Sequence, residues 1–174
     1  MGDIQKKLYS TIPMLSVSCS VMRRDFFDRL GGFDTLCHSN DWVLNIRIFN
    51  QLSSRTQFAY ILDTVFAYRM HANNISKDQN RMIVLLTQVV ERYIPSEHQN
   101  RQYANIYFFT ALNMITQGQY SNSFGSLRSS LSYEFHISRI CIYVLALVSP
   151  ISHIARHFPN LFTFLKKIVQ KISG

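Results

Sequence analysis

Residues 21–34 read VMRRDFFDRLGGFD, and this stretch carries most of the fold prediction. Its polar Arg-Arg-Asp turn begins a helix over Arg24–Leu30, and the two glycines that follow end it, because glycine readily adopts left-handed backbone. Just before it, serine and valine alternate around Cys19, which predicts a short strand over Leu15–Met22. A strand is therefore expected to lead into a short helix that closes on a Gly-Gly turn.

The next segments continue this mixed pattern. Asn40 and Asp41 are expected to cap a helix over Trp42–Leu52, in which apolar residues recur at helical spacing. Residues Phe58–Tyr68 are rich in β-branched and aromatic side chains, which favour strands. The first 76 residues are accordingly predicted to form a small α/β piece.

From Lys77 onward the pattern becomes helical, which places a boundary between Ser76 and Lys77. The predicted fold class is α+β: an α/β piece over residues 1–76 and a mainly α-helical extension over residues 77–174. Proline and glycine separate the predicted helices, which are Met82–Ile94, Arg101–Gln117, Ser121–Tyr133, Ile137–Ser149 and Asn160–Ile172.

Two of these helices are expected to pair across Gly118 and Gln119. The segments Ala104–Gln117 and Tyr120–Leu131 have the pattern of one tetratricopeptide-like helical hairpin. An antiparallel pair that merely covers the preceding piece explains the same pattern equally well.

The composition limits the classes of partner. Among 174 residues, Lys and Arg outnumber Asp and Glu 18 to 10, which gives a formal charge of +8 and favours anionic partners. The basic residues are scattered, and no run resembles a nucleic-acid-binding arm, so we expect no nucleic-acid partner. Hydrophobic residues make up 47% of the chain, enough to fill a core, so we expect a folded protein.

The cysteines and apolar stretches bear on location. The 3 cysteines have neither disulfide-framework nor zinc-ligand spacing, which fits a reducing cytoplasm. Residues 1–13 lack the apolar core of a secretory signal. The longest apolar stretch, Ile137–Ile151, is interrupted and shorter than the roughly 20 residues of a membrane span, so a buried helix is expected there.

Three motifs in order resemble one enzyme family. Residues 21–34 resemble the acceptor-side motif of family 2 glycosyltransferases with the GT-A fold. Asn40-Asp41-Trp42, with Arg47 behind it, is similar to that family's acidic-Asp-Trp helix start. The segment Tyr68-Arg69-Met70-His71-Ala72-Asn73-Asn74-Ile75-Ser76 is similar to its Tyr-Arg-x-His-x-x-Asn-x-Ser signature.

The resemblance implies an inverting transfer of a sugar from a nucleotide-sugar donor to a glycan or lipid-linked acceptor. Such a reaction needs a carboxylate that takes a proton from the acceptor hydroxyl, while a cation neutralises the leaving diphosphate. Asp41 is the candidate base, since a helix N-terminus favours a carboxylate. The alternative is that Asp41 only caps the helix.

Further residue roles follow from the same resemblance. His71 is expected to hold the diphosphate or a divalent metal, Mg or Mn, although a lone histidine is more often an ordinary hydrogen-bonded residue. The acceptor side is expected to include Gly31, Gly32, Asp34 and Trp42. Arg47 lies six positions after Asp41, so it should point elsewhere and serve as a structural partner for an acid.

The chain also departs from the family pattern. Position 40 is Asn where an acid is common, and no Asp-x-Asp stands upstream, so the nucleotide-binding half is expected to be missing. We therefore expect the isolated chain to transfer no sugar, because half a site cannot position a donor.

The C-terminal segment leaves a second class of function open. In Leu161–Ile172 the apolar residues fall on one helical face and three lysines on others. Such a helix can bind an anionic membrane surface, which would make a cytoplasmic protein peripheral to the inner face, or it can complete the core. The alternative function is thus a non-catalytic helical interaction or membrane-surface module.

Overall fold

The computed structural model describes residues 20–37, 39–51, 67 and 74–148. These residues form six α-helices and a short 3₁₀ turn at Ile75–Lys77, and none of them lies in a strand. The helices are α1 (Arg24–Arg29), α2 (Asn40–Asn50), α3 (Gln79–Tyr93), α4 (Ser96–Thr116), α5 (Tyr120–Tyr133) and α6 (Ile137–Val148).

The predicted α+β class is wrong for this part of the chain, which is all-α. Residues 20–22 and Ala67, the described portions of the two predicted strand regions, are not in strands. The rest of those regions, residues 15–19, 58–66 and 68, lies outside the described residues. The prediction relied on serine and valine alternation in the first region and on β-branched and aromatic composition in the second. Both patterns indicate a strand only when a neighbouring strand is present to pair with it.

The helix ends follow local chemistry closely. α1 ends at Arg29, and Gly31 and Gly32 follow it with φ of 82° and 65°, which confirms the predicted left-handed turn. α2 begins at Asn40, two residues earlier than predicted. Its N-cap residue is Ser39, whose side chain makes no capping hydrogen bond, so the predicted cap by Asn40 and Asp41 is wrong.

The contacts divide the chain into two compact units, residues 1–94 and 95–174. In the first unit, the Asp78 carboxylate accepts a hydrogen bond from the Arg81 backbone N–H and caps α3. Pro95 begins the second unit, where a helix cannot easily continue because proline restricts the residue before it. The functional division predicted between Ser76 and Lys77 stays a prediction.

In the second unit, α4 and α5 form an antiparallel hairpin, which confirms the predicted pairing. The turn contains Gly118 with φ of 77°. Two buried serines of α5 donate to carbonyls of α4: Ser123 to Ala111 at 2.8 Å and Ser130 to Ala104 at 2.7 Å. These small side chains let the two backbones approach closely, and their hydroxyls are satisfied in the core.

The helix α6 packs against this hairpin. Tyr143 joins a core cluster that also includes Phe108, Ala111, Leu112, Ile115 and Leu127. The buried guanidinium of Arg139 donates to the Glu134 carboxylate at 2.6 Å and to the Asn105 side-chain oxygen at 3.0 Å. Burial lowers the pKa of Arg139, and the Glu134 carboxylate acts in the opposite direction.

The sequence predicted no membrane-spanning helix and a last helix at Asn160–Ile172. Across the described ranges, no helix is both long and apolar enough to span a membrane. The helix predicted at Asn160–Ile172 lies outside the described residues, as does Ser149 at the predicted end of α6.

Candidate functional site

The Gly-Gly turn is attached to α2 through Arg47. The Arg47 guanidinium donates to the Asp34 carboxylate at 3.0 Å and to the Gly32 carbonyl oxygen, also at 3.0 Å. It lies over the ring of Tyr93 with 5.7 Å between Cζ and the ring centroid. The predicted role of Arg47 as a structural partner for an acid is confirmed.

Tyr93, at the end of α3, completes this group. Its hydroxyl donates a hydrogen bond to the same Asp34 oxygen that Arg47 contacts. We call Asp34, Arg47, Tyr93 and the Gly32 carbonyl the Asp34 cluster. The cluster joins three elements of the first unit: the turn after α1, the last turn of α2 and the C-terminus of α3.

Asp34 is the electrostatic centre of the cluster. Its side chain is only 8% exposed, and it also accepts a hydrogen bond from the Leu36 N–H at 2.7 Å. The Tyr93 hydroxyl, the Leu36 N–H and the Arg47 charge hold the pKa of Asp34 below its ordinary value. Burial and the Asp34 carboxylate raise the pKa of Tyr93.

Asp41, the candidate base, lies in the first turn of α2. Its side chain is exposed, whereas those of the five residues after it, from Trp42 to Ile46, are buried. Asp41 therefore lies at the exposed start of a helix whose next five residues are buried. The Asp34 cluster fixes the same helix one and a half turns further on, at Arg47.

Two polar atoms beside Asp41 lack partners. Within the described part of the chain, Asn40 Oδ1 and Trp42 Nε1 are buried and make no hydrogen bond. A buried polar group without a partner costs about 1–3 kcal/mol, so such groups are uncommon in folded proteins. The start of α2 thus combines an exposed carboxylate with two unsatisfied polar atoms.

The structure brings some of the predicted site residues together. Gly32 and Asp34 meet in the Asp34 cluster, and Gly31 adjoins it, with its carbonyl 3.5 Å from the Arg47 guanidinium. Trp42 is 3% exposed and belongs to the buried part of α2. His71, predicted to hold a metal or the donor, lies outside the described residues.

No metal centre is formed by the described residues. Over residues 20–37, 39–51, 67 and 74–148, no three His, Cys, Asp or Glu side chains are grouped as metal ligands would be. Carboxylate oxygens suit Mg and Mn, and Asp41 supplies one such group. The Mg or Mn site remains a prediction that depends on His71.

Tyr93 was not predicted from the sequence. It follows Asp34 by 59 positions and occupies the last position of an amphipathic helix, where an aromatic residue ordinarily indicates core packing. The hydroxyl group of a tyrosine on an otherwise apolar helix face is the one signal that could have suggested its role.

No family model, curated protein or solved structure matches this chain. The resemblance to family 2 glycosyltransferases is therefore wrong as an assignment of family and fold. A GT-A domain is built around a sheet, and the described residues, 20–37, 39–51, 67 and 74–148, contain helices and no strand.

Proposed function

We propose that the start of α2 contributes the acceptor side of a sugar-transfer site, with Asp41 as the general base. The observation that carries the proposal is the exposed Asp41 side chain in the first turn of α2, whose two sequence neighbours each have a buried polar atom without a partner, Asn40 Oδ1 and Trp42 Nε1. A hydroxyl group of an acceptor can donate a hydrogen bond to this exposed carboxylate.

The chemistry requires a fixed base. To attack a donor's anomeric carbon, an acceptor hydroxyl must lose its proton to a group within hydrogen-bond reach. The Asp34 cluster supports this geometry, because it ties α2 to the turn after α1 through side chains rather than through a loop alone. Asp34 and Arg47 are positioning residues in this proposal, since neither needs to touch the acceptor.

The donor side belongs to the proposal as well. A nucleotide-sugar donor carries a diphosphate, which the net charge of +8 favours, and His71 with Mg or Mn would stabilise its departure. His71 lies outside the described residues. A cytoplasmic location, with a glycan or lipid-linked acceptor, completes the proposed setting.

A transfer assay tests the reaction. The DNA upstream of Met1 is first searched for a segment encoding an Asp-x-Asp, and the protein is expressed with and without that segment. We expect transfer from a UDP- or dTDP-sugar only in the longer protein, with a loss of at least 100-fold in Asp41→Asn, the scale of general-base catalysis. Asp28→Asn, which changes an exposed aspartate of α1, should leave transfer unchanged.

Two results would contradict this proposal. Transfer that survives in Asp41→Asn would remove Asp41 from the role of base. Absence of any Asp-x-Asp segment upstream, together with no transfer from the whole donor panel, would favour a non-catalytic function.

A non-catalytic interaction or membrane-surface module is the second candidate. The observation that favours it is the sequence of residues 161–172, in which the apolar residues recur at helical spacing and three lysines occupy other positions. Flotation with anionic vesicles tests it by comparing the intact chain with a chain that ends at Pro159. Stronger binding by the intact chain would support the module, and equal binding would exclude a membrane role for residues 161–172.

A further inference from the structure

One face of α6 is apolar and uncovered. Ile137, Cys141, Val144 and Leu145 are all exposed, and we call these four residues the α6 outer stripe. They follow one another at spacings of four, three and one residues, so they lie along a single side of the helix. The opposite side packs on the hairpin through the buried residues Arg139 and Tyr143. α6 therefore has apolar side chains on two faces, of which only one is covered.

The sequence repeats this stripe 24 positions later. Ile137, Cys141, Val144 and Leu145 correspond to Leu161, Leu165, Ile168 and Val169, and the flanking Ile140 and Val148 correspond to Phe164 and Ile172. The other face differs between the two copies. Where α6 has Ile142, Tyr143 and Leu147, the later segment has Lys166, Lys167 and Lys171. The later segment thus has one apolar stripe of the same length and spacing, and a charged remainder.

We propose that residues 161–172 form a helix that packs antiparallel on the α6 outer stripe. Heptad-like spacing on both segments allows side chains of one helix to fit between those of the other. The antiparallel register pairs residues whose numbers sum to 309, so Cys141 meets Ile168, Val144 meets Leu165 and Ile137 meets Ile172. In the same register, the flanking Ile140 meets Val169 and Leu145 meets Phe164.

The connecting chain permits this arrangement. Residues 149–160 provide 12 residues, which reach about 40 Å when extended, whereas neighbouring helix axes lie about 8–10 Å apart. Pro150 and Pro159 stand near the two ends of this connection, where proline ends one helix and can begin the next. Antiparallel neighbours joined by a short connection are the usual product of such a sequence.

Tethering favours this occupant over a second copy of the chain. A 12-residue helix is about 18 Å long and about 10 Å wide, so the stripe offers far less than the roughly 800 Å² per partner of a stable interface. A segment of the same chain is present at an effective concentration in the millimolar range and loses little translational freedom on docking. A small stripe can therefore hold a tethered helix without being able to hold a separate molecule.

The positions of the lysines in residues 161–172 agree with packing of their apolar stripe on α6. With the apolar stripe against α6, the three lysines of residues 161–172 point to solvent, where a charged face is expected. In this arrangement, residues 161–172 cover the α6 outer stripe.

Disulfide trapping tests the proposed register in the full chain. Both test variants carry Cys19→Ser, which leaves the exposed Cys141 and the buried Cys37 as native thiols. One adds Ile168→Cys, which the register places opposite Cys141. The matched control adds Gln170→Cys, two residues away and on the opposite face of the helix. Both are treated with a mild oxidant at low protein concentration, and peptide mass spectrometry identifies the products.

We expect an intrachain bond between positions 141 and 168 to form at least tenfold faster than one between 141 and 170, with the protein remaining monomeric. Equal rates in the two variants would overturn the proposal, because they would show that the segment has no fixed face. Disulfide-linked dimers through Cys141 would overturn it in favour of a second copy. Absence of the 141–168 bond, together with flotation of the intact chain on anionic vesicles and none of a chain ending at Pro159, would overturn it in favour of a membrane surface.

Alkylation of Cys141 gives a second measurement that needs no new cysteine. In the Cys19→Ser background, the intact chain should react with a thiol reagent at least fivefold more slowly than a chain ending at Pro159, because residues 161–172 cover the thiol. Equal reactivity in chains that both retain the helical circular-dichroism signal would contradict coverage of the stripe.

Discussion

Arg47 and Asp34 are 13 residues apart in the sequence and 3.0 Å apart in space, and their contact joins the last turn of α2 to the turn that follows α1. The Asp34 side chain is 8% exposed and that of Arg47 is 24% exposed, so water screens this pair weakly. The pairs within and before α1 are different: Arg24 and Asp28, for example, are 87% and 57% exposed. The same two residue types thus make a structural contact in one place and a solvated one in another.

Arg47→Met should destabilise the first unit. Methionine keeps most of the apolar stem but leaves Asp34 and the Gly32 carbonyl without their charged donor. We expect Tm to fall by roughly 5 °C. The fluorescence of Trp42, the single tryptophan of the chain, measures this unfolding. Arg24→Met is the matched control and should change Tm by less than about 1 °C, because exposed pairs contribute little. Equal shifts in the two variants would show that burial does not distinguish the pairs.

Acid should weaken the first unit through Asp34. Its pKa is lower in the folded chain than the unfolded value of about 3.9, so its stabilising contribution is complete above that pH. The contribution is lost as pH falls through the folded pKa. Asp34→Asn should therefore be less stable than the native chain at pH 7 and lose less further stability on acidification. An equal loss of stability on acidification in Asp34→Asn and in the native chain would contradict this expectation.

Tyr93→Phe should raise the pKa of Asp34 towards its ordinary value. The Tyr93 hydroxyl is the largest of the influences that lower that pKa, ahead of the Leu36 N–H and the Arg47 charge. Carboxyl carbon chemical shifts, followed by NMR against pH, measure the change directly. Tyr120→Phe, which alters an exposed tyrosine of α5, should leave the titration of Asp34 unchanged. An unchanged pKa in Tyr93→Phe would mean that the hydroxyl does not reach the carboxylate in solution.

The hairpin of the second unit should depend on the small size of Ser130. Its hydroxyl donates to the Ala104 carbonyl at 2.7 Å, and the residue is fully buried. Ser130→Ala should cost about 1 kcal/mol of unfolding free energy through the lost hydrogen bond, and Ser130→Val should cost about 1–3 kcal/mol through overpacking. Ser132→Ala, at an exposed position of the same helix, should change it by less than about 0.5 kcal/mol. Chemical denaturation measures all three variants, and equal effects would contradict close packing at Ser130.

Two glycines should respond in opposite directions to alanine. Gly31 has φ of 82°, where a side chain is strained, so Gly31→Ala should cost about 1–2 kcal/mol. Gly125 lies inside α5 with open space around the position of a Cβ atom, so Gly125→Ala should stabilise by up to about 1 kcal/mol. Thermal unfolding of the two variants separates the signs. Destabilisation by both would mean that the surroundings of Gly125 are closer than its geometry indicates.

The helices could be predicted from the sequence because their signals are local. Gly31 and Gly32, Pro95 and Gly118 mark helix ends through backbone preferences that operate without tertiary contacts. The pairing of α4 with α5 followed from the short turn between them. These features rest on neighbours in the chain, where sequence patterns are informative.

Local sequence patterns could not establish whether strands are present, and they could not predict the Asp34 cluster. Strand prediction from composition assumes a partner strand, and none occurs among the described residues. Tyr93 reaches Asp34 across 59 residues, a contact set by the packing of α3 in the first unit rather than by any local pattern. The helical cap assigned to Asp41 failed because the helix begins one residue before it, at Asn40.

The most direct test of the proposed acceptor site uses Trp42, which directly follows Asp41 in α2. The purified chain is titrated with a panel of oligosaccharide and lipid-linked glycan acceptors while tryptophan fluorescence is recorded. We predict a saturable change with at least one acceptor, about tenfold weaker binding in Asp41→Asn through loss of a charge-assisted hydrogen bond, and unchanged binding in Asp28→Asn. No response to any acceptor, or equal affinity of the native chain and Asp41→Asn, would contradict the proposed role of Asp41.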